Sequence, residues 1–174
     1  MATNYLFSPS LTPSTPLPTN FKFRPLSRDD YDAGHLDVLR DLAEVGPITK
    51  EQWTERYDWM KGSQGSYYVL VIEHEGKVVG TGTLIAEKKF PLSLFRLGVQ
   101  GHIEDISIKK EFQGKGLGKA LLAALGEVAK GAGCYKSILD CNAQKSEFYV
   151  KCGFEKKGME MEMYFDEEAR KFSV

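Results

Sequence analysis

Apolar and polar positions along the chain fall into short segments of two periods. Phe21-Lys-Phe-Arg-Pro25 alternates and predicts a strand. Tyr67-Tyr-Val-Leu-Val-Ile-Glu-His74 and Lys77–Ile85 are apolar, β-rich runs joined by Glu75-Gly76, which reads as a β-hairpin with His74 beside the turn. His102–Ile108 predicts a further strand, Ser137–Cys141 another, and Met159–Phe165 the last. Helical spacing separates these runs. Leu36, Leu39 and Leu42 predict a helix capped by Asp29 or Asp30, and Thr49-Lys-Glu-Gln52 is a capping box ahead of Trp53, Tyr57 and Met60. Leu117, Leu121, Leu122 and Leu125 place a helix over Gly116–Ala129, with a short one around Phe148, while residues 86–101 read as a loop. Strands with interspersed helices predict a layered α/β domain, and no internal repeat is visible.

Composition narrows the class. A chain of 174 residues with 42% hydrophobic content supports one domain, expected at 21–174 behind a leader at 1–20. The leader has no charged residue and holds four of the seven prolines, so it reads as flexible and extended on the surface. It has neither the basic start nor the apolar stretch of a secretory signal. A net charge of −1 argues against nucleic acid or anionic lipid as partner. No apolar run reaches the ~18–20 residues that span a bilayer. Cys134, Cys141 and Cys152 form no CxxC pair, so reduced thiols are expected rather than disulfides or a metal site. A soluble, cytoplasmic protein without metal is the expectation.

The chemistry concentrates at Gln113-Gly-Lys-Gly-Leu-Gly-Lys119, between a strand and an amphipathic helix. Glycines let successive amides converge, and at a helix start those amides are unpaired and partly positive, which suits a pyrophosphate. GxxxxGK[ST] is absent, and a GxGxxG reading from Gly114 or Gly116 ends on Lys119 or Leu121. Walker and Rossmann turns are therefore excluded.

Gln113, Gly116 and Gly118 resemble the Q/R-x-x-G-x-G/A motif of the GNAT acetyltransferase superfamily. The resemblance continues in Asn142 followed by Tyr149 and in Lys151-Cys-Gly-Phe154. Within the superfamily, His102-Ile-Glu-Asp-Ile106, Gly133-Cys-Tyr-Lys136 and Leu139-Asp-Cys141 resemble the glucosamine-6-phosphate N-acetyltransferases. The resemblance implies a GNAT fold: a mixed, mostly antiparallel twisted sheet, helices on both faces, and a splayed, bulged strand before the pyrophosphate-binding helix. It implies acetyl-CoA as co-substrate and an amino-sugar phosphate acceptor on the route to UDP-N-acetylglucosamine. It also implies roles for residues. Ile106 offers an amide to the thioester carbonyl, and Ile108 pairs with pantetheine. Gln113, Gly114, Lys115, Gly116, Leu117, Gly118 and Lys119 hold the pyrophosphate, joined in the cofactor site by Asn142 and Lys151. Tyr149 is the acid for the departing thiolate. Asp140 orients the amine, with Glu104 and Asp105 on sugar hydroxyls or receiving a proton, though adjacent strand residues face opposite sides unless a bulge intervenes. Lys89 and Tyr135 complete the acceptor site, and Lys136 enters it from the partner subunit of a homodimer. Lys88 and Arg96 border the sugar.

The chain departs from that family at three places. Lys89-Phe-Pro-Leu92 replaces Lys-x-x-His, Ala43 replaces a threonine, and Tyr164 stands where some members carry arginine. Unphosphorylated glucosamine, another amine, or a non-catalytic coenzyme-A-binding module are the alternatives.

Overall fold

The computed structural model describes residues 4–90, 97–166, 168 and 171. In chain order the elements are β1 (Phe21–Pro25), α1 (His35–Leu39), α2 (Lys50–Gly62), β2 (Tyr67–His74), β3 (Lys77–Lys89), β4 (Gly98–Ile108), α3 (Leu117–Gly131), β5 (Cys134–Ile138) and α4 (Ser146–Lys151). The five strands form one sheet in the order β1-β2-β3-β4-β5. The first four pair antiparallel, and β5 runs parallel to β4. This is the mixed, mostly antiparallel sheet that the resemblance implied.

Local chemistry sets most boundaries. The β2–β3 turn places Glu75 and Gly76 at φ 49° and 79°, the paired positive angles a two-residue hairpin turn requires. The capping box forms in full: Gln52 donates its amide N–H to Thr49 Oγ1, and the Thr49 N–H donates to Gln52 Oε1. At α1 the expected cap is absent. Asp30 instead accepts two bonds from the Arg24 guanidinium, at 2.7 and 2.8 Å, and one from the Ser27 amide. Arg24 also reaches Glu73 at 2.6 Å, so this charge cluster ties β1 to β2. With Asp30 committed there, α1 starts at Gly34 (φ 93°) and ends at Leu39, leaving Leu42 in the following turn. His35, Leu36 and Val38 are its buried residues.

Alternation assigns the sheet's two faces. His35 meets Thr81, and the Ser107 hydroxyl donates to the Val38 carbonyl, so these strand residues face α1. Gly82, next to Thr81, faces the other way: a Cβ there would lie 2.7 Å from Ile106 and 2.8 Å from Leu125 of α3. α3 buries Leu117, Leu121, Leu122, Leu125 and Val128, so the helices cover both faces.

Three expectations are corrected. Residues 86–89 and 98–101, expected within a loop, are strand, because β3 continues to Lys89 and β4 begins at Gly98, with Lys89 opposite Gly98. The charged Glu87-Lys88-Lys89 masks a ladder held by the backbone. The strand expected at Ser137–Cys141 is observed at Cys134–Ile138, because pairing with Val99–His102 selects that register over a weak hydrophobic signal. Met159–Phe165 forms no strand: among the described residues no other strand takes up its backbone hydrogen bonds. Arg96 and Leu92 lie outside the described residues.

The leader, expected to be flexible, is docked along residues 4–15. Arg28 and Tyr57 both donate to the Asn4 carbonyl, Leu6 donates to the Leu26 carbonyl, and Leu6 and Phe7 are buried. A 3-10 turn at Pro9–Leu11 then brings Leu11 against Gly131 of α3. Burial of two large apolar side chains, on the order of 1.5–3 kcal/mol each, explains why a proline-rich segment is held. No helix of the described residues is long and apolar enough to cross a membrane.

Candidate active site

β4 carries the feature that organises the site. Thr81 and Thr83 stand two residues apart on β3, but their partners Ser107 and Glu104 stand three apart on β4. The extra residue is a β-bulge, and Asp105 within it takes φ 55°, a left-handed conformation that aspartate tolerates better than most residues. The bulge resolves how two adjacent carboxylates can serve one site. Glu104 faces the same side as Thr83, its ladder partner, while Asp105 Oδ2 accepts a long 3.5 Å bond from the Thr83 hydroxyl. Both therefore lie on the α1 side of the sheet, whereas Ile106 turns to α3. His102 Nδ1 stands 3.5 Å from Glu104 Oε1, two residues along the same face.

Alongside the bulge, among the described residues, β4 has a partner on its β3 side only. β5 pairs with β4 from Val99↔Cys134 to His102↔Ile138 and stops, so among the described residues no strand flanks that edge of β4 over residues 103–108. β4 then leads into Gln113, whose side-chain amide donates to the Ile108 carbonyl at 2.8 Å and pins the turn to the strand. Gly114 and Gly116 adopt φ 75° and 79°, and Gly116 precedes α3 with no side-chain cap. The first helical bond runs from the Ala120 amide to the Gly116 carbonyl. The amides of Leu117, Gly118 and Lys119 thus have no partner within the helix and point off its positive end. Lys115 Nζ lies 4.8 Å over the Phe112 ring and adds a cation beside the turn. Unpaired amides, left-handed glycines and flanking lysines fit a pyrophosphate.

On the α1 side, a cavity of about 640 Å³ is lined by His35, Trp53, Tyr57, Thr81, Thr83 and Asp105 among others. Trp53 and Tyr57 stack at 5.6 Å as its aromatic wall. Trp53 Nε1 donates to His35 Nδ1 at 3.2 Å, and His35 Nε2 meets Thr81 Oγ1 at 3.2 Å, an arrangement that suits neutral imidazole. Burial pushes the His35 pKa down to about 4. The Asp105 carboxyl is raised above its ordinary value by desolvation, which its bond from Thr83 opposes. Thr81, Thr83 and His35 carried no recognisable signal in the sequence. Trp53 and Tyr57, at helical spacing in the sequence, are both buried and cavity-lining.

A second cavity, about 580 Å³, is lined by Lys88, Lys89, Phe90, Val99, Gly133 and Tyr135 among others. Lys89 pairs with Glu87 at 2.5 Å, and Lys136 Nζ lies 5.8 Å from the Tyr135 ring centre. Lys136 stands opposite Gln100 in the ladder. Four residues of strand separate that position from Glu104, roughly 13 Å at strand rise. The structure therefore keeps Lys89, Tyr135 and Lys136 away from the bulge of their own chain.

Residues 140–174 carry the remaining predicted positions. Asn142 accepts a bond from the Lys145 amide at 3.0 Å and starts the turn into α4. Tyr149 on α4 packs its ring edge-on against Phe148 and Phe154, and Gly153 (φ 94°) lets the Phe154 amide return to the Tyr149 carbonyl. Burial raises the Tyr149 phenol above its ordinary value, with smaller contributions from Cys141 and Cys152, so the hydroxyl stays protonated at neutral pH. Asp140 and Lys151 are exposed.

The comparisons agree with this architecture. The profile of the Acetyltransferase (GNAT) family matches residues 34–154. The glucosamine 6-phosphate N-acetyltransferase of Candida albicans is 44% identical over 146 residues, 83% of this chain and 96% of that protein. The enzyme of the same name from Dictyostelium discoideum is 40% identical over 144 residues, 82% and 89% of the two chains. The crystal structure of the Arabidopsis thaliana glucosamine-6-phosphate N-acetyltransferase superposes with a TM-score of 0.78 at 38% identity, covering 84% of this chain and 99% of that one. A bulged and splayed fourth strand feeding a glycine turn, together with these matches, shows that the chain belongs to the GNAT family of acetyltransferases.

Proposed function

We propose that this chain transfers the acetyl group of acetyl-CoA to the amine of glucosamine 6-phosphate, giving the N-acetyl sugar phosphate used to make UDP-N-acetylglucosamine in the cytosol. The observation that carries this reading is the bulge at Asp105–Ile106, placed between the aromatic cavity on the α1 side and the opened edge of β4. Relatives 38–44% identical that bear that enzyme name support the acceptor.

Each residue then has a stated task. The amides of Leu117, Gly118 and Lys119, with Gln113 bracing the turn and Lys115 beside it, hold the pyrophosphate of coenzyme A. Asn142 and Lys151 bind the same co-substrate, and the Ile108 backbone pairs with pantetheine along the unflanked edge. The Ile106 amide donates to the thioester oxygen as it gains charge. Asp140 orients the amine, while Glu104 or Asp105 receives its proton; burial raises the Asp105 carboxyl, which makes it a stronger base than an ordinary aspartate. As the N–C bond forms and the C–S bond breaks, Tyr149 donates its hydroxyl proton to the sulfur. Transfer is direct, within one ternary complex. Lys89, Tyr135 and Lys136 bind the sugar phosphate. Their distance from the bulge of their own chain supports a homodimer in which Lys136 serves the partner's site.

The test compares glucosamine 6-phosphate with glucosamine by thiol release at equal ionic strength. Two charge-assisted bonds at about 1.5–3 kcal/mol each predict a kcat/KM preference of roughly 10²–10⁴ for the phosphorylated sugar. Equal use of both sugars would remove the phosphate from the proposal and leave an acetyltransferase for a neutral amino sugar.

A further inference from the structure

The docked leader ends on a contact that the acetyl-transfer reading does not use. Glu127, on the exposed side of α3, receives three hydrogen bonds from it. The Ser14 amide donates at 2.7 Å, the Ser14 hydroxyl at 2.9 Å, and the Thr15 hydroxyl makes a short bond to the other carboxylate oxygen. These donors hold the Glu127 carboxyl below its ordinary value, Thr15 contributing most. Leu11, lodged against Gly131, is the apolar half of the same docking.

Each hydroxyl residue that precedes a proline in the leader makes the dipeptide that proline-directed protein kinases read: Ser8-Pro9, Thr12-Pro13 and Thr15-Pro16. Of these three, Thr15 alone is bonded to a carboxylate among the described residues. Ser8 is occupied instead within the leader, capping the 3-10 turn through the Ser10 amide. A threonine that is at once a kinase acceptor and the donor of a docking bond is a contact that modification reverses.

We propose that Thr15 is a phosphorylation site for a proline-directed kinase and that the phosphoryl group releases the leader from α3. The kinase supplies a nucleoside triphosphate. An O–P bond forms between Thr15 Oγ1 and the terminal phosphorus, the P–O bond to the nucleoside diphosphate breaks, and the hydroxyl proton leaves to the kinase's base. The oxygen that donated to Glu127 no longer carries hydrogen. In its place stand acceptor oxygens with about −1.5 to −2 charges at pH 7, facing a carboxylate. Repulsion replaces attraction where Thr15 bonds α3, and the Ser14 bonds to the same carboxylate open with it.

The experiment uses the full chain, a purified proline-directed kinase and a magnesium–nucleoside triphosphate, with sites mapped by peptide mass spectrometry. Docking is read by hydrogen exchange of the Ser14 amide. Phosphate on Thr15 of the folded protein, with Ser14 exchange rising roughly tenfold or more, is the expected result. Glu127→Arg turns the sign: its leader is less protected before modification, and phosphorylated Thr15 restores protection by pairing with arginine. Thr15→Ala, with two of the three bonds intact, stays docked and insensitive to the kinase. Absence of phosphate at Thr15 while a peptide of residues 8–20 accepts it there overturns the site. Unchanged Ser14 exchange after modification, or the same response in Glu127→Arg as in the unaltered protein, overturns the release.

Discussion

Gly116→Ala isolates what the glycine turn contributes, because Gly116 sits at φ 79° with no protein atom within 4 Å of where a Cβ would lie. The methyl group meets no neighbour, so the whole cost to the free protein is backbone conformation, about 1–2 kcal/mol for a left-handed L-residue. A domain of this size loses roughly 2–4 °C of Tm per kcal/mol, so a decrease of about 2–8 °C follows. For the co-substrate the loss has two routes. If alanine keeps the left-handed angle, its methyl projects into the open space proposed for the pyrophosphate. If it relaxes to a right-handed angle, the amides of Leu117, Gly118 and Lys119 swing off their common target. Either route weakens acetyl-CoA binding by about tenfold or more, 1.4 kcal/mol. Gly126→Ala is the matched control on the same helix. It too has no atom within 4 Å of its Cβ position, and its φ is not positive. There alanine should stabilise by up to ~1 kcal/mol as a better helix former and leave affinity alone. Calorimetric titration with acetyl-CoA and thermal unfolding by circular dichroism read both quantities. Equal affinity in the two variants would refute the pyrophosphate cradle.

Three further outcomes are expected. Tyr149→Phe keeps the ring contacts with Phe148 and Phe154 but removes the donor, so kcat should fall by roughly 10²–10⁴ with little change in circular dichroism; wild-type single-turnover rates would exclude its role as acid. Mixing Lys136→Ala with Asp140→Ala, each inactive alone, should recover part of the activity through heterodimers that hold one intact site, and a strictly monomeric mass in solution would defeat the composite site. His35, with its pKa pushed from 6.5 to about 4, favours the folded state only while neutral. The unfolded chain binds the extra proton between those values, so this stability is complete above about pH 6.5 and declines as pH falls towards 4. At about 1.36 kcal/mol per unit the loss is on the order of 3 kcal/mol, and urea unfolding should show a shallower pH slope in His35→Gln than in the unaltered protein.

Features written in local chemistry were legible from sequence. The Thr49–Gln52 box, the Glu75-Gly76 turn and the Gly114–Gly118 turn each depend on residues a few positions apart, and each stands where it was expected. Features decided by long-range pairing were not. Asp30 is drawn from its capping role by Arg24, which also holds Glu73 and which no spacing rule connects to it. Residues 86–89 and 98–101 became strand because they face each other, although their charges and glycines argued for a loop. β5 shifted three residues towards the N-terminus because parallel pairing with β4 outweighed its faint apolar pattern. The leader's proline content described how it is extended and left unsaid what Leu6, Phe7 and Leu11 find to bury against. At the site, Glu104, Asp105 and Ile106 could be singled out by resemblance, but the Thr83 contact and the cavity beneath Trp53 are products of packing alone.

The bulge has a consequence for how β4 can be altered. Ile103, Ile106 and Ile108 sit at intervals of three and then two, yet Ile106 and Ile108 contact Gly82 and Gly80 on one face, and Ile103 lies opposite Leu84 in phase with them. The strand is in effect two half-strands spliced out of step, like a vernier scale that matches its neighbour at one setting only. Sliding β4 along β3 by one residue would turn all three isoleucines from the α3 face to the α1 face, and sliding it by two would carry the splice away from Thr81 and Thr83. Insertions or deletions between Gly98 and Ile108 should therefore be far less tolerated than substitutions, because the position of the Ile106 amide, proposed above to face the thioester, is kept by counting residues rather than by any single side chain.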